Sequence, residues 1–596
     1  MKFKWHRGGN NLTKINCIKI KGFRSFEDAT INVAKKSLII GANDVGKTNL
    51  IYALRLLFDK KISESDLELF DSDYCIRSST NQISIEVHLE NIIEDCLVST
   101  FKGLIKEDKM IIKFFKEKGK PYVIYCGFNS ETMTAFENRF YIRRLFMECV
   151  DTNRDLNKFI KKEKSTLLVN AKKSRKEEQI EKDNVLEKRL QSKLSRINKS
   201  IEELSYIEKA LDVVNDELKE ISTHHSKGAL GFTVPETDMS KILSDVSLSF
   251  KEDGQKIGVG GDGKNNQIFL ATWVSKQALN DNSDEYVCFY AIEEPESHLH
   301  PHQQRKLSSY IMDKFDSQIF LTSHSPFIGT DFIPKDIIKL KKNDGKTTAA
   351  SNGASEKISV GFDEFNYRLD LITSDLFFVD GMILVEGPSE KIFYQALCND
   401  LDIDLDFYNF SIISTAGVGF APFIKMCQLL EIPFSLRTDN DIFNKKRDGK
   451  SYHYCSGVNR LHKLFRDKVI DDEGVITDYN EIDLEWVVKS HEEPKIVPAF
   501  KSQKITELKD IFESKGLFLA DTDLEEDLVC QLSLSEGWDE DCQKTLIKKL
   551  KEKKATNMYD FVRREISFTS LKDKDIFKPI SYLFKEVYGL ERENQE

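Results

Sequence analysis

The hydrophobic positions of this chain change period repeatedly. Ile15-Asn16-Cys17-Ile18-Lys19-Ile20 and Ala29-Thr30-Ile31-Asn32-Val33 alternate with period two, which predicts half-buried strands. Ser37-Leu38-Ile39-Ile40 is a short apolar strand ending at a glycine. After Lys47 the spacing becomes helical, through Leu50, Ile51, Leu54, Leu57 and Phe58. Gln82 to Leu89 alternates again, and strand character returns near 246–292. Further apolar strands are predicted at Gln318–Thr322, Met382–Val385, Phe434–Thr438 and Gly516–Ala520. Strands interleaved with helices predict an α/β chain.

From about 151 to 222 no proline or glycine interrupts the chain, and residues 161–200 hold 13 Lys/Arg and 6 Asp/Glu. Leu186, Leu190, Leu194, Ile197, Ile201 and Leu204 recur at three- and four-residue steps, an apolar stripe on a long helix or helical pair. Such a stripe needs a covering surface. A second protomer makes the insertion a dimerisation arm, whereas packing against Ile207 to Ile221 needs no partner. Lys341 to Ser359 is rich in Lys, Ser, Thr, Ala, Asn and Gly and predicts a loose linker. The expected divisions are 1–150, an insertion over 151–245, 246–345, and a second α/β region over 370–596.

The chain has 596 residues, room for about four domains at ~150 residues each. Its 87 Lys+Arg against 98 Asp+Glu give a formal charge of −11. That argues against coating nucleic acid with the whole surface, but leaves room for a local basic channel. The 11 cysteines form no C-x-x-C pair, which predicts reduced thiols rather than disulfides or structural zinc. Met1 to Asn10 lacks the apolar core of a secretion signal, and no run approaches the ~18 apolar residues of a membrane span. A cytoplasmic protein with no membrane contact is expected.

Gly41-Ala42-Asn43-Asp44-Val45-Gly46-Lys47-Thr48 matches G-x-x-x-x-G-K-[ST], with a strand before and a helix after. Glycines let backbone N–H groups close around phosphate oxygens, and the helix offers its positive end to the same anion. Lys47 is expected to reach the β- and γ-phosphates, and Thr48 to give its hydroxyl to Mg²⁺. Downstream, the strand 286–292 delivers Glu293-Glu294-Pro295-Glu296, carboxylates suited to holding Mg²⁺ and orienting water. The strand 318–322 ends in Ser323-His324-Ser325-Pro326, where His324 can sense the γ-phosphate.

This order of motifs around a helical insertion resembles the ABC-type ATPases of the SMC, Rad50 and RecF kind. The resemblance implies an ATP sandwich between two heads and a nucleotide site built from Gly41, Asn43, Gly46, Lys47, Thr48, Asn49, Glu293, Glu294 and His324. Gly258-Val259-Gly260-Gly261-Asp262-Gly263 stands where those proteins carry a signature, without its Ser and Gln, and Glu293 replaces their usual Asp. Nucleotide binding is therefore expected ahead of fast turnover. His298, His300 and His302 form a spacing that invites zinc, but L-H-P after E-E-P-E is ordinary in this ATPase family.

A second constellation follows. Met382–Val385 ends at Glu386, with Glu390 in the first turn of the next helix; Phe434–Thr438 ends in Asp439-Asn440-Asp441; Gly516–Ala520 runs into Asp521-Thr522-Asp523-Leu524-Glu525-Glu526-Asp527. Alternate residues of an extended chain face the same way, so Asp439 and Asp441 are expected to point at one ion. Three strands ending in carboxylates suit one or two Mg²⁺ or Mn²⁺ ions, which stabilise both oxygens of a phosphodiester displacement.

V-E-G-P-S-E followed by D-x-D resembles the Toprim fold, and an ABC-type ATPase fused before Toprim is the order of the OLD-family nucleases, nearest the nuclease subunits of Gabija anti-phage systems. The resemblance implies Glu386, Glu390, Asp439, Asp441, Asp523 and Glu525 as metal ligands. It implies a lysine beside the scissile phosphate, matched by Lys554 with Lys553 its rival among six lysines between 544 and 554. It further implies a metal-dependent DNA endonuclease regulated by ATP, assembled as a dimer or tetramer, with a helicase-like partner. The alternative is an SMC-like, ATP-gated scaffold or sensor with an inert Toprim domain.

Overall fold

The computed structural model describes residues 13–78, 81–152, 175–202 with scattered positions between 168 and 212, 250–252, 255–257, 262–279, 285–314, 317–354, 377–415, 419–447, 450–471, 485–487, 497–564 and 566–589. The chain divides into two compact units, one of Met1–Cys149, Val287–Pro295 and Gln304–Glu596, the other of Val150–Tyr286 and Glu296–Gln303.

The first unit opens with β1 (Lys14–Phe23), β2 (Phe26–Asn32) and β3 (Lys36–Ile40), the last leading to the helix Lys47–Phe58. Then come β4 (Gln82–Glu90), β5 (Met110–Glu117), β6 (Val123–Gly127), β7 (Thr134–Phe136) and β8 (Leu145–Val150). Strands β2-β1-β4-β5-β6-β7 form one antiparallel sheet. In β4 every second side chain is buried, as its alternation requires.

In the other unit, β9 (Phe250–Glu252) and β10 (Gln255–Ile257) pair antiparallel, and helices run over Glu177–Glu202 and Asp262–Leu279. Leu186 and Leu190 are 53% and 49% exposed in the single chain. The side chains of Leu194, Ile197 and Ile201, the segment 213–249 and most of the glycine-rich stretch Gly258–Gly263 lie outside the described residues.

Back in the first unit, β11 (Val287–Glu293), β12 (Ile319–Thr322), β13 (Ile337–Asn343) and β14 (Lys346–Ala349) complete a second sheet in the order β14-β13-β3-β12-β11-β8. Its centre, β13-β3-β12-β11, is parallel. The helix Lys47–Phe58 packs between the sheets, touching β5 and β12. It therefore buries Ala53 and Leu56 as well as the predicted stripe. Phe58 meets Phe289 of β11 edge-on, with ring centroids 5.6 Å apart, and Tyr141 at 6.3 Å.

The predicted linker from Lys341 is a correction: residues to Ala349 form the β13–β14 hairpin. Asp344 and Gly345 both have positive φ, 50° and 75°, the geometry of a tight two-residue hairpin turn. The small polar residues that suggest a linker alternate along a sheet edge, with Thr347 and Ala349 buried. Residues 355–359 of that stretch lie outside the described residues.

The third sheet is wholly parallel. It contains β15 (Gly381–Val385), β16 (Phe410–Ser414), β17 (Phe434–Thr438) and a later strand, β21 (Leu517–Leu519), in the order β16-β15-β17-β21. Between β17 and β21 lie β18 (Ile442–Arg447), β19 (Lys450–Cys455) and β20 (Trp486–Val487), a small antiparallel sheet. The helices Pro388–Asp400, Leu524–Glu536, Lys554–Val562 and Lys578–Tyr588 share one core with this sheet, through Phe393, Tyr394, Leu528, Met558, Phe561 and Leu583 among others. All 11 cysteines are free thiols. Among the described residues no helix is long and apolar enough to cross a membrane.

Truncating Phe58 leaves a cavity between two sheets that cannot collapse together. Phe58→Ala is expected to lower stability by about 3–5 kcal/mol, seen as a lower urea midpoint; an unchanged midpoint would contradict the sandwich packing.

Candidate functional site

Two groups of predicted residues lie at strand ends, where parallel sheets expose backbone and side chains along one edge. In the first, β3, β12 and β11 are neighbours, with Ile39 beside Thr322 and Thr322 beside Glu293. The loop after β3, the turn after β12 and the acids after β11 therefore emerge together. Gly46 closes the loop with φ 110°, and a Cβ there would lie 2.7 Å from Ser25 Oγ, so the loop tolerates no side chain at this point. Lys47 is buried, its Nζ donating to the carbonyls of Gly41 and Ala42 at 2.8 Å each. Asn49 donates to Ser25 Oγ and accepts from Arg24 Nη1, both at 3.1 Å. Asn43 and Thr48 are exposed at the loop's mouth.

Glu293 is buried at the end of β11. The Glu294 amide donates to Thr322 O at 3.0 Å and Thr322 Oγ1 at 3.2 Å, and its carboxylate lies 3.9 Å from His324 Nε2. Burial first, and then the charge of Lys47, hold the His324 imidazole below its ordinary pKa. A helix N-terminus, an ammonium and a glycine-bent loop suit a polyphosphate, with Glu293, Glu294 and Thr48 supplying hard oxygens for its Mg²⁺.

The second group lies at the ends of β15, β17 and β21, three adjacent parallel strands. Glu386 follows β15, and its Oε1 accepts from Asp439 N at 2.9 Å, from Thr438 Oγ1 and from Arg460 Nη1. Glu390 is buried in the first turn of Pro388–Asp400. Burial foremost, and then Glu525, raise its carboxyl above the usual range. Asp439 is buried, its Oδ1 accepting from Leu524 N at 3.1 Å. Burial, and then Glu390, push it up to about 7.

Asp523 caps the helix Leu524–Glu536, accepting from Glu526 N at 2.9 Å, and pairs with Lys551 at 2.6 Å. Glu525 is buried and accepts from Ser389 Oγ at 3.3 Å. Lys554 stands among these acids, 3.7 Å from Asp439 Oδ2 and 3.6 Å from Glu525 Oε2. Burial would lower its pKa, but Glu525, Asp439, Glu390 and Asp523 together raise it. Lys553 is exposed, and no described ion pair draws it into the cluster.

Asp441 is the exception among the predicted acids. Strand β17 ends at Thr438, and the chain then turns, with Asn440 N donating to Thr522 O at 2.7 Å and Asp441 O accepting from Ser456 N at 2.9 Å. Alternation therefore no longer governs this position, and no described hydrogen bond or ion pair joins the Asp441 carboxylate to the cluster.

Among the described residues, no three His, Cys, Asp or Glu side chains stand in a ready-made ligating arrangement, and this covers His298, His300 and His302. The acidic cleft nevertheless fits a hard cation by its donors. Glu525 Oε2 is buried without a hydrogen-bond partner, and Asp439, Glu390 and Glu525 crowd negative charge around one ammonium. A divalent cation on Glu390, Asp439 and Glu525 would relieve that repulsion.

Sequence reasoning missed several partners. Arg437 is buried and paired with Asp527, joining β17 to the helix after β21. Arg460, Thr438 and Ser389 hold carboxylates in place. Of these, only Asp527 carried a local signal, one helical turn beyond Asp523.

The AAA ATPase domain family matches residues 14–328, more than half of the chain. The chain belongs to that family. Residues 377–441 of this AAA ATPase match a second family, described as overcoming lysogenization defect protein-like, TOPRIM domain. The protein thus carries an AAA ATPase domain followed by a TOPRIM domain, the order read from its motifs. It is 24% identical over 539 residues to Endonuclease GajA of Bacillus cereus (strain VD045), across 86% of this chain and 89% of that protein. It is 22% identical over 449 residues to the OLD nuclease of Thermus scotoductus (strain ATCC 700910 / SA-01), across 72% and 82%. The expected resemblance to OLD-family and Gabija-type nucleases is borne out by these matches. Among solved structures, the SmcHead bound to the C-winged helix domain of ScpA covers 56% of this AAA ATPase and 96% of itself, at 15% identity and TM-score 0.35.

Lys47→Ala is expected to weaken ATP binding at least about ten-fold, roughly 1.4 kcal/mol, with the fold intact. Unchanged affinity by calorimetry would remove the phosphate loop from the nucleotide site.

Proposed function

We propose that this protein is a DNA endonuclease whose TOPRIM cleft cuts phosphodiester bonds with Mg²⁺ or Mn²⁺ and whose ATPase head binds ATP to regulate the cut. The observation that carries this reading is the convergence of Glu386, Glu390, Asp439, Asp523 and Glu525 on the ends of three neighbouring strands, with Lys554 between Asp439 and Glu525. The names of the two relatives, an endonuclease and a nuclease, agree with it.

In this reading Glu386, Glu390, Asp439, Asp523 and Glu525 hold the divalent ions, with Asp441 a further ligand from the D-x-D element. The bound metal supplies Lewis acidity toward the scissile phosphate and a more acidic attacking water. Lys554 brings its ammonium to the charge that develops on the phosphate. Asp439 N and Thr438 Oγ1 fix the orientation of Glu386, so this carboxylate enters the reaction already aimed.

Regulation by ATP has a physical route through the β13–β14 hairpin. Thr347 Oγ1 donates to the carbonyl of Val45 in the phosphate loop at 2.7 Å. Just beyond the hairpin, Ser351 N donates to Glu431 Oε1 and Ser351 Oγ to Leu429 O, each at 2.7 Å, at the end of the TOPRIM helix Ala421–Leu429. Lys341 of β13 pairs with the same Glu431. A change of loop shape on nucleotide binding is thereby delivered to the TOPRIM domain by a short, hydrogen-bonded lever. We further assign the protein to cytoplasmic anti-phage defence, as a dimer or tetramer held by the insertion, beside a helicase-like partner.

Plasmid nicking is expected to need Mg²⁺ or Mn²⁺, to stop with EDTA, and to fall at least 100-fold in Glu386→Ala or Asp439→Ala. Undiminished cutting by both variants would end the endonuclease reading of this cleft. Glu431→Ala should keep ATP affinity while flattening the response of nicking to ATP; an unaltered response would move the coupling elsewhere.

A further inference from the structure

The helix Ser456–Arg466 is fastened to the acidic cleft at its first turn. A Cβ on Gly457 would lie 2.4 Å from Asp439 O and 2.6 Å from Leu519 Cδ1, so only glycine permits the approach. Val458 N donates to Asn440 Oδ1 at 3.3 Å, and Ser456 N to Asp441 O at 2.9 Å. Val458, Leu461, Leu464 and Phe465 are buried on this amphipathic helix. Arg460 is therefore aimed, and its Nη1 donates to Glu386 Oε1 and Thr438 Oγ1. Its side chain keeps 35% of its surface exposed, enough to exchange partners without unfolding the helix.

We propose that Arg460 is a substrate-binding residue with two alternating partners. In the protein alone it covers the Glu386 carboxylate; when the cleft takes a divalent cation and DNA, it transfers to a backbone phosphate next to the scissile bond. Three facts carry this. The guanidinium sits on a carboxylate at the end of β15, in the row of acids that faces the cleft. A cation at Glu386 and the Arg460 charge repel each other, so the two compete for that oxygen. The planar fork of guanidinium matches the oxygens of a phosphodiester, the anion that a DNA-cutting cleft must hold. Lys554 occupies a different place, between Asp439 and Glu525, so the two cations would grip different parts of the backbone. The inference rests on the endonuclease reading and adds to it a second basic contact and a competition for Glu386.

The test uses the full chain with Arg460→Gln, Arg460→Lys and Glu386→Ala. Mn²⁺ binding is measured without DNA by paramagnetic resonance of the free ion, and nicking of supercoiled plasmid at saturating Mn²⁺. Arg460→Gln is expected to bind Mn²⁺ several-fold more tightly, up to about ten-fold, while nicking falls at least ten-fold. Arg460→Lys, which keeps the charge but loses the fork, should hold Mn²⁺ like the unaltered protein and nick more slowly. A purely structural arginine predicts loss of both properties, and unchanged or weaker Mn²⁺ binding in Arg460→Gln overturns the proposal. If circular dichroism shows Arg460→Gln unfolded, Arg460→Lys decides: undiminished nicking overturns the proposal. Glu386→Ala separates the two layers. If it weakens Mn²⁺ binding while Arg460→Gln does not strengthen it, the arginine inference alone fails; if Glu386→Ala leaves Mn²⁺ binding unchanged, the metal reading of the cleft fails with it.

Discussion

Crowded negative charge at the edge of a parallel sheet is the constraint on which the TOPRIM half depends. Strands β15, β17 and β21 run the same way, so acids that end them accumulate on one side. Buried carboxylates in a low dielectric disfavour their charged forms, and Asp439 and Glu390 show that cost as raised pKa values. The fold answers with cations from distant segments. Lys554 stands between Asp439 and Glu525, Lys551 pairs with Asp523 and Glu526, and Arg460 holds Glu386. The helices that carry the two lysines are seated by the core around Phe393, Leu528 and Phe561, so packing fixes where those charges meet.

Arg437 and Asp527 do a different kind of work. Both are buried, and the pair ties the middle strand to the helix after β21. Breaking such a pair leaves an uncompensated charge in the interior, which costs about 3–5 kcal/mol. The acids that face the cleft are thus backed by one ion pair that faces inward, and the distinction between the two rests on burial and partner, not residue type.

The ATPase half repeats the strand-end logic with the opposite charge balance. Its loop offers backbone amides and an ammonium to an anion, while the TOPRIM edge offers carboxylates to a cation. The β13–β14 hairpin and the turn after it touch both, bonding Val45 through Thr347 and Glu431 through Lys341 and Ser351.

Much of this was written in local spacing. Period-two and apolar runs marked the strands that build both edges, because burial on one or two faces imposes its own periodicity. G-x-x-x-x-G-K-T, E-E-P-E and the three acidic clusters were legible because each lies within one strand end and the turn that follows. The hairpin at Lys341–Ala349 was not, since Lys, Thr and Ala on an edge strand look like loop composition, and only the pairing of β14 with β13 makes them sheet. Asp441 lies beyond the end of its strand, which stops at Thr438, so alternation by itself does not place it beside Asp439. The roles of Arg460, Arg437 and Lys551 belonged to the tertiary structure alone. Basic residues are common along this chain, and only the packing of remote helices decides which of them reaches a carboxylate.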